Sequence, residues 1–237
     1  MIFSPEQHQT LMRAFAKVER EIAEAGFNCR VETDFDRLKE DITKTGKPLS
    51  PWFWADKYDF NGHNAFCMVL EKDGQGLVYI CNQRMDLGAR TLEQAYIQRL
   101  KALYSHDPTA KLDETWTCEP LQEVTGVVAY SGDAVTHPDL RSCGFSLKSL
   151  GLVSRLSLFY TLTYWDDVDW IVGTIPDKNI KRGLGWAYGG NRCYAMAEEW
   201  EVMPEDGRGK LNAAIVLSSR RDVLWTAKTV TATHRSE

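Results

Sequence analysis

No stretch of this chain approaches the roughly 18 consecutive apolar residues of a membrane-spanning helix. Its opening residues also hold no apolar segment of signal-peptide length. The expectation is a cytoplasmic protein without a membrane partner. Paired cysteines are missing as well: Cys29, Cys67, Cys81, Cys118, Cys143 and Cys193 stand singly, with no CxxC spacing among the six. That excludes a zinc ribbon and gives no sign of a disulfide framework. His8, His63, His106 and His234 lie far apart and offer no metal-ligand pattern. Positive charge is not in excess either. Against 33 acidic residues stand 28 Lys and Arg, for a net charge of -5, which argues against a broad nucleic-acid surface. The pair Arg220-Arg221 is too short to change that. There is no internal repeat and no low-complexity segment.

What is present is an ordinary globular composition, 43% hydrophobic and 26% charged over 237 residues, long enough to bury a core. Ser4, Pro5 and Gln7 supply an N-cap, a first-turn proline and a capping-box partner. Leu11, Phe15, Val18 and Ile22 then recur at helical spacing, and Gly26 stops the helix. A second helix is expected from about Asp34 to Thr45. Residues 48–63 are rich in aromatics. They either plug one end of the core or wall a substrate site in which Asp56 and Asp59 attract a cationic amine. Ala65 to Leu70 and Leu77 to Cys81 form a hairpin around the turn residues between them, and a third helix is predicted from about Leu92 to Tyr104. Later, Val168 to Pro176 reads as a short buried strand and Lys178 to Tyr188 as a helical turn. Arg192 to Met203 and Leu211 to about Ser218 read as a closing hairpin, with fraying from Thr229.

The most informative stretch lies between these. Val127 to Thr136 is small and β-branched enough for a strand, and Pro138 ends the ladder because it has no N–H to donate. From Ser142 a long helix follows, with Leu147, Leu150, Val153, Leu156, Phe159 and Tyr160 on or near one face. The first N–H groups of such a helix lack internal partners and attract anions. Arg141 adds a fixed charge, and Gly144 lets a phosphate approach the backbone.

Together these elements give a mixed α/β (α+β) order. It resembles the GNAT superfamily of acyl-CoA-dependent N-acetyltransferases. The resemblance is carried by Val135-Thr-His-Pro-Asp-Leu-Arg-Ser-Cys-Gly-Phe-Ser146, which is similar to that family's strand ending and its Arg/Gln-x-x-Gly-x-Gly/Ala pyrophosphate loop. Ser146 replaces the last small residue, and Ser142 and Cys143 stand where a glycine and a basic residue are frequent. The detailed match spans about residues 125 to 190.

The resemblance implies a mixed, mostly antiparallel central sheet with a splayed pair of neighbouring strands, flanked by helices. It implies one domain over residues 1–237, with N-terminal helices and the aromatic loop over 1–60 and the core over 61–228. It further implies an N-acyltransferase that moves an acetyl group from acetyl-CoA to an amine, here of a small molecule. A GNAT-shaped acyl-CoA-binding module without chemistry is the alternative, and a homodimer stays open. Val135 and Thr136 would pair with the pantetheine arm. Arg141, Ser142, Cys143, Gly144, Phe145 and Ser146 would hold the pyrophosphate. Asn179 would lie beside the cofactor, Asp133 would be the base, and Tyr188 the acid that protonates the leaving thiolate. His137 reads as a surface residue and Cys143 as offering its backbone N–H. Tyr164 to Trp170 reads as a solvated turn with its tryptophans packed inward.

Overall fold

The computed structural model describes residues 3–105, 107–112, 118–141, 147–202 and 211–232. Helix α1 (Pro5–Glu24) begins with the anticipated capping box, in which the Ser4 hydroxyl accepts from the Gln7 N–H and the Gln7 side chain accepts from the Ser4 N–H. Its stripe of Leu11, Ala14, Val18 and Ile22 is buried. The chain continues through β1 (Asn28–Glu32), α2 (Phe35–Thr43), β2 (Ala65–Lys72), β3 (Gln75–Asp86), α3 (Leu92–Leu103), β4 (Lys111–Leu112) and β5 (Val127–Thr136). Then come α4 (Leu147–Tyr164), β6 (Trp170–Pro176), α5 (Asp177–Ile180), α6 (Leu184–Ala187), β7 (Arg192–Val202), β8 (Leu211–Ser219) and α7 (Arg220–Ala232).

All eight strands join one sheet in the order β1-β2-β3-β5-β6-β8-β7-β4. Every recorded pairing is antiparallel except β5 with β6. This is the mixed, mostly antiparallel sheet flanked by helices that the resemblance implies. On one face α1, α4 and α7 pack around Phe66, Met68, Leu156, Phe159 and Val223. On the other, α2, α3 and the aromatic segment close over Cys67, Val69, Tyr79, Tyr130 and Ile215. Two layers of apolar side chains on a shared sheet are the usual way for such a chain to bury both faces.

Four expectations change. Residues 28–32 form an edge strand that pairs with β2 over Asn28 to Glu32, so the N-terminal part belongs to the sheet. The strand from Leu77 extends to Asp86, because β5 supplies a second partner along its whole outer half. The tail does not fray from Thr229: α7 runs to Ala232, with Val223, Leu224 and Ala227 buried and Lys17 Nζ donating to the Val230 carbonyl at 2.8 Å. Arg220 fastens its start by donating to the Val168 and Asp166 carbonyls. Finally, α4 is buried on more than one face. Leu152, Ser154, Ser157, Leu158, Thr161 and Leu162 are as covered as the anticipated stripe, because α1 and α7 flank a helix that also lies on the sheet.

Candidate active site

The parallel contact between β5 and β6 is short. It joins Val128 to Trp170, Ala129 to Ile171 and Tyr130 to Val172, and then ends, although β5 continues to Thr136 and β6 to Pro176. Two features of the sequence mark the parting. Gly173 approaches β5 so closely that a Cβ there would stand 2.5 Å from the Ser131 carbonyl oxygen. Beyond it, β5 carries an extra residue against β3. Val135 faces Tyr79 and Gly132 faces Cys81, so Asp133 and Ala134 together oppose Ile80. Such a bulge bends a strand and re-aims its side chains. Asp133 adopts φ +48° there, a left-handed conformation that Asp tolerates better than most residues.

A cavity of about 380 Å³ fills this opening. It is walled from both faces of the sheet. Ser154 and Leu158 of α4, Asn179 and Tyr188 line it from one side, and Trp52, Tyr96, Tyr130 and Trp200 from the other. Two carboxylates line it too, Asp133 and Glu198. Glu198 sits at the end of a second bulge, where β7 spends extra residues between Tyr194 and Glu198 against β8.

The Asp133 carboxylate accepts the Ser50 N–H at 2.7 Å. Its pKa rises to about 6, because burial disfavours the charged form more than the Ser50 hydrogen bond favours it. Glu198 accepts from the Tyr96 hydroxyl at 2.7 Å and from the Trp200 indole N–H at 2.6 Å. Burial raises its pKa as well, opposed by those two donors. Tyr96 is itself pushed well up by burial and by the adjoining Glu198 charge. Tyr188 is raised by burial alone, which keeps its phenol protonated at neutral pH. Ser154 Oγ is buried and has no hydrogen-bond partner among the described residues, so a polar group entering the cavity would find a ready donor and acceptor.

The structure therefore brings together three residues singled out from the sequence: Asp133, Asn179 and Tyr188. Val135 and Thr136 lie further along β5, paired to Tyr79 and Val78 on one edge and past the last β6 pair on the other. Arg141 closes a short 3-10 turn, Pro138–Arg141. Its side chain, and the whole of Ser142, Cys143, Gly144, Phe145 and Ser146, fall outside the described residues. His137 donates its N–H to the Leu77 carbonyl and lies beside Gln75 and Asp139, not on the cavity wall. Asp56 and Asp59 are exposed and do not line the cavity, so they are not the carboxylates that would meet an amine there. Trp52, in the aromatic segment, is buried in the core, stacks on Tyr130 at 4.2 Å between ring centroids, and also walls the cavity. The acidic turn after α4 is held by ion pairs, Asp167 with Arg84 and Asp169 with Arg220.

Sequence reasoning missed Glu198, Tyr96 and Trp200. A signal for Glu198 was present: it shares strand parity with Trp200, and an inward tryptophan two residues away carries an inward glutamate with it. Among the described residues no helix is long and apolar enough to cross a membrane, and no cluster of His, Cys, Asp and Glu could hold a metal ion.

Comparison with known proteins found no matching family model and no matching curated sequence. Solved structures do match. Arabidopsis thaliana NAA60 in complex with acetyl-CoA is 10% identical with a TM-score of 0.44, covering 82% of this chain and 99% of its own. A putative phosphinothricin N-acetyltransferase is 11% identical with a TM-score of 0.44, over 81% and 98% of the two chains. FeeM, an N-acyl amino acid synthase from uncultured soil microbes, is 12% identical with a TM-score of 0.44, over 83% and 92%.

Proposed function

We propose that this protein is an acyl-CoA-dependent N-acyltransferase that moves an acetyl group from acetyl-CoA to the amine of a small molecule. The observation that carries this reading is the opening between β5 and β6, a cavity that crosses the sheet with a buried carboxylate on its wall. Beyond Tyr130, β6 no longer pairs with β5, so that edge is suited to accept an extended amide-bearing arm as an added strand. The α4 side, with Leu158, Asn179, Tyr188 and the unpartnered Ser154 hydroxyl, fits the pantetheine and thioester. The residues from Arg141 to Ser146 are the proposed diphosphate holders.

On the far side the aromatic walls and two carboxylates suit a cationic amine. Asp133, with its pKa near 6, is mostly ionised at neutral pH and takes the proton from the ammonium. Glu198, held by Tyr96 and Trp200, attracts and orients the same group. The free amine nitrogen forms a bond to the thioester carbon, the C–S bond breaks, Tyr188 gives its phenolic proton to the departing thiolate, and the surplus proton on the new amide nitrogen passes through water to restore the phenol. Holding amine and thioester in one narrow opening supplies much of the acceleration.

The test is a thermal melt with and without acetyl-CoA, paired with free-thiol release on a panel of small amines. A ligand that binds only the folded state raises the midpoint. The expected result is such a rise, with thiol release that falls about 10²- to 10⁴-fold in Asp133→Asn. A rise with no turnover on any amine would point to a binding module instead. No rise at all sinks both readings.

A further inference from the structure

A second cavity, of about 410 Å³, lies on the α3 side of the sheet and shares Trp52 and Tyr96 with the first. Its charge is opposite. Arg84, Arg90 and Arg99 line it, with Asp86 as its one acidic residue. Arg84 is neutralised by Asp167, and Asp86 adds to the negative field at Arg84 while accepting the Gly88 N–H at 2.9 Å. The other two guanidiniums have no such partner. Arg90 donates to the Leu87 carbonyl at 3.3 Å and the Gln98 side chain at 2.8 Å. Arg99 donates to the Gln83 side-chain oxygen and to Met85 Sδ. Among the described residues no carboxylate stands within ion-pair distance of either.

Arg99 is the more telling of the two. Its guanidinium lies 4.9 Å from the Trp52 ring centroid and 4.2 Å from that of Tyr58, and its Nε is buried without a hydrogen-bond partner. An arginine cannot escape this by losing its proton. On that planar fork Nε is idle while the neighbouring nitrogen is held by the Gln83 side-chain oxygen, and the Tyr58 hydroxyl also meets the guanidinium; a carboxylate or phosphate that replaced the Gln83 contact would be met by two donors.

We propose that this cavity binds a small molecule through one oxyanion group, carboxylate or phosphate, gripped by Arg99 and Arg90 beside the Trp52 and Tyr58 rings. The site is separate from the acyl-transfer reading and stands without it. A purely structural role for Arg99, clamping two aromatic rings, would leave the protein indifferent to anions.

The experiment measures the melting midpoint and the binding isotherm of the full chain with sodium phosphate and sodium acetate separately, against sodium chloride at matched pH and ionic strength. The expected result is a saturable rise with one of them, and the more effective anion assigns the ligand class. Arg90→Ala should weaken that binding about tenfold or more, and Arg99→Gln should abolish it. Should Arg99→Gln not fold, Arg99→Lys serves in its place: it keeps the charge, loses the fork and should weaken binding at least tenfold. The inference is overturned if neither anion acts beyond chloride, or if the response is unchanged in Arg90→Ala and Arg99→Lys. It is equally overturned if the response vanishes only in Arg141→Ala, which would assign the anion to the residues proposed as diphosphate holders.

Discussion

The two cavities lie on either side of one indole and treat buried charge in opposite ways. On the side open to the β5/β6 gap the acidic residues are two carboxylates, whose response to burial is a raised pKa: about 6 for Asp133, and an upward shift for Glu198. On the α3 side three arginines outnumber one aspartate, and arginines cannot neutralise. There the cost of burial shows instead as an idle donor on Arg99. On the readings proposed above, the same desolvation suits one cavity to exchange protons and the other to hold a permanent anion.

The hardest way to break this arrangement is to remove the partition. Trp52 is buried, stacks on Tyr130 and Tyr96, and lies under Arg99. Trp52→Ala should cost about 3–5 kcal/mol of stability, as expected for deleting a core aromatic. Urea unfolding checks this, and a loss below about 1 kcal/mol would mean that the indole is not what separates the cavities.

Gly173→Ala attacks only the acidic cavity. The new methyl group would meet the Ser131 carbonyl at the point where the strands part, so the backbone must shift, at about 1–3 kcal/mol. Acetyl-CoA response should be lost in the folded remainder, while the anion response of the arginine cavity persists. Equal damage to both responses would argue that the two cavities are one mechanical unit.

The gentlest probe is pH. Asp133 has its folded pKa raised above the ordinary value of 3.8, to about 6, so the native state binds its proton more tightly than the unfolded chain does. Its contribution to stability is present at low pH, declines as pH rises from about 4 to about 6, and is flat above. Fully buried, that shift would correspond to about 3 kcal/mol. Asp133 is only half-buried on the cavity wall, so an effect on the order of 1 kcal/mol is expected. Unfolding free energies between pH 4 and 7 should therefore fall more steeply in wild type than in Asp133→Asn, with Glu198 adding the same sign to both. Parallel pH curves for the two proteins would contradict the raised pKa.

Much of the fold was legible because it is local. The capping box at Ser4, the hairpin around Asp73 and Gly74, and the strand ended by Pro138 each depend on neighbours a few residues apart. α7 was missed although Val223, Leu224, Ala227 and Val230 recur at helical spacing, because threonine, lysine and arginine dilute the stripe. β1 was missed because five residues at a sheet edge with little burial carry almost no pattern. For the site, Asp133, Asn179 and Tyr188 came within reach through one motif and its surroundings. Glu198, Tyr96 and the arginine cavity did not, since nothing in the local sequence joins residue 52 to residues 96, 130 and 198.

By itself the amino-acid order determined most of the elements, their sequence along the chain, and the loop proposed to face a diphosphate, since caps, apolar spacing and prolines act over a few residues. Only the tertiary structure decided where the sheet opens and which side chains look into the opening. Those outcomes turn on the length of the β5/β6 ladder, on two bulges in strands far apart in sequence, and on an indole set between them. Register and bulges are fixed by partners brought together in folding, and no pattern within one segment records them.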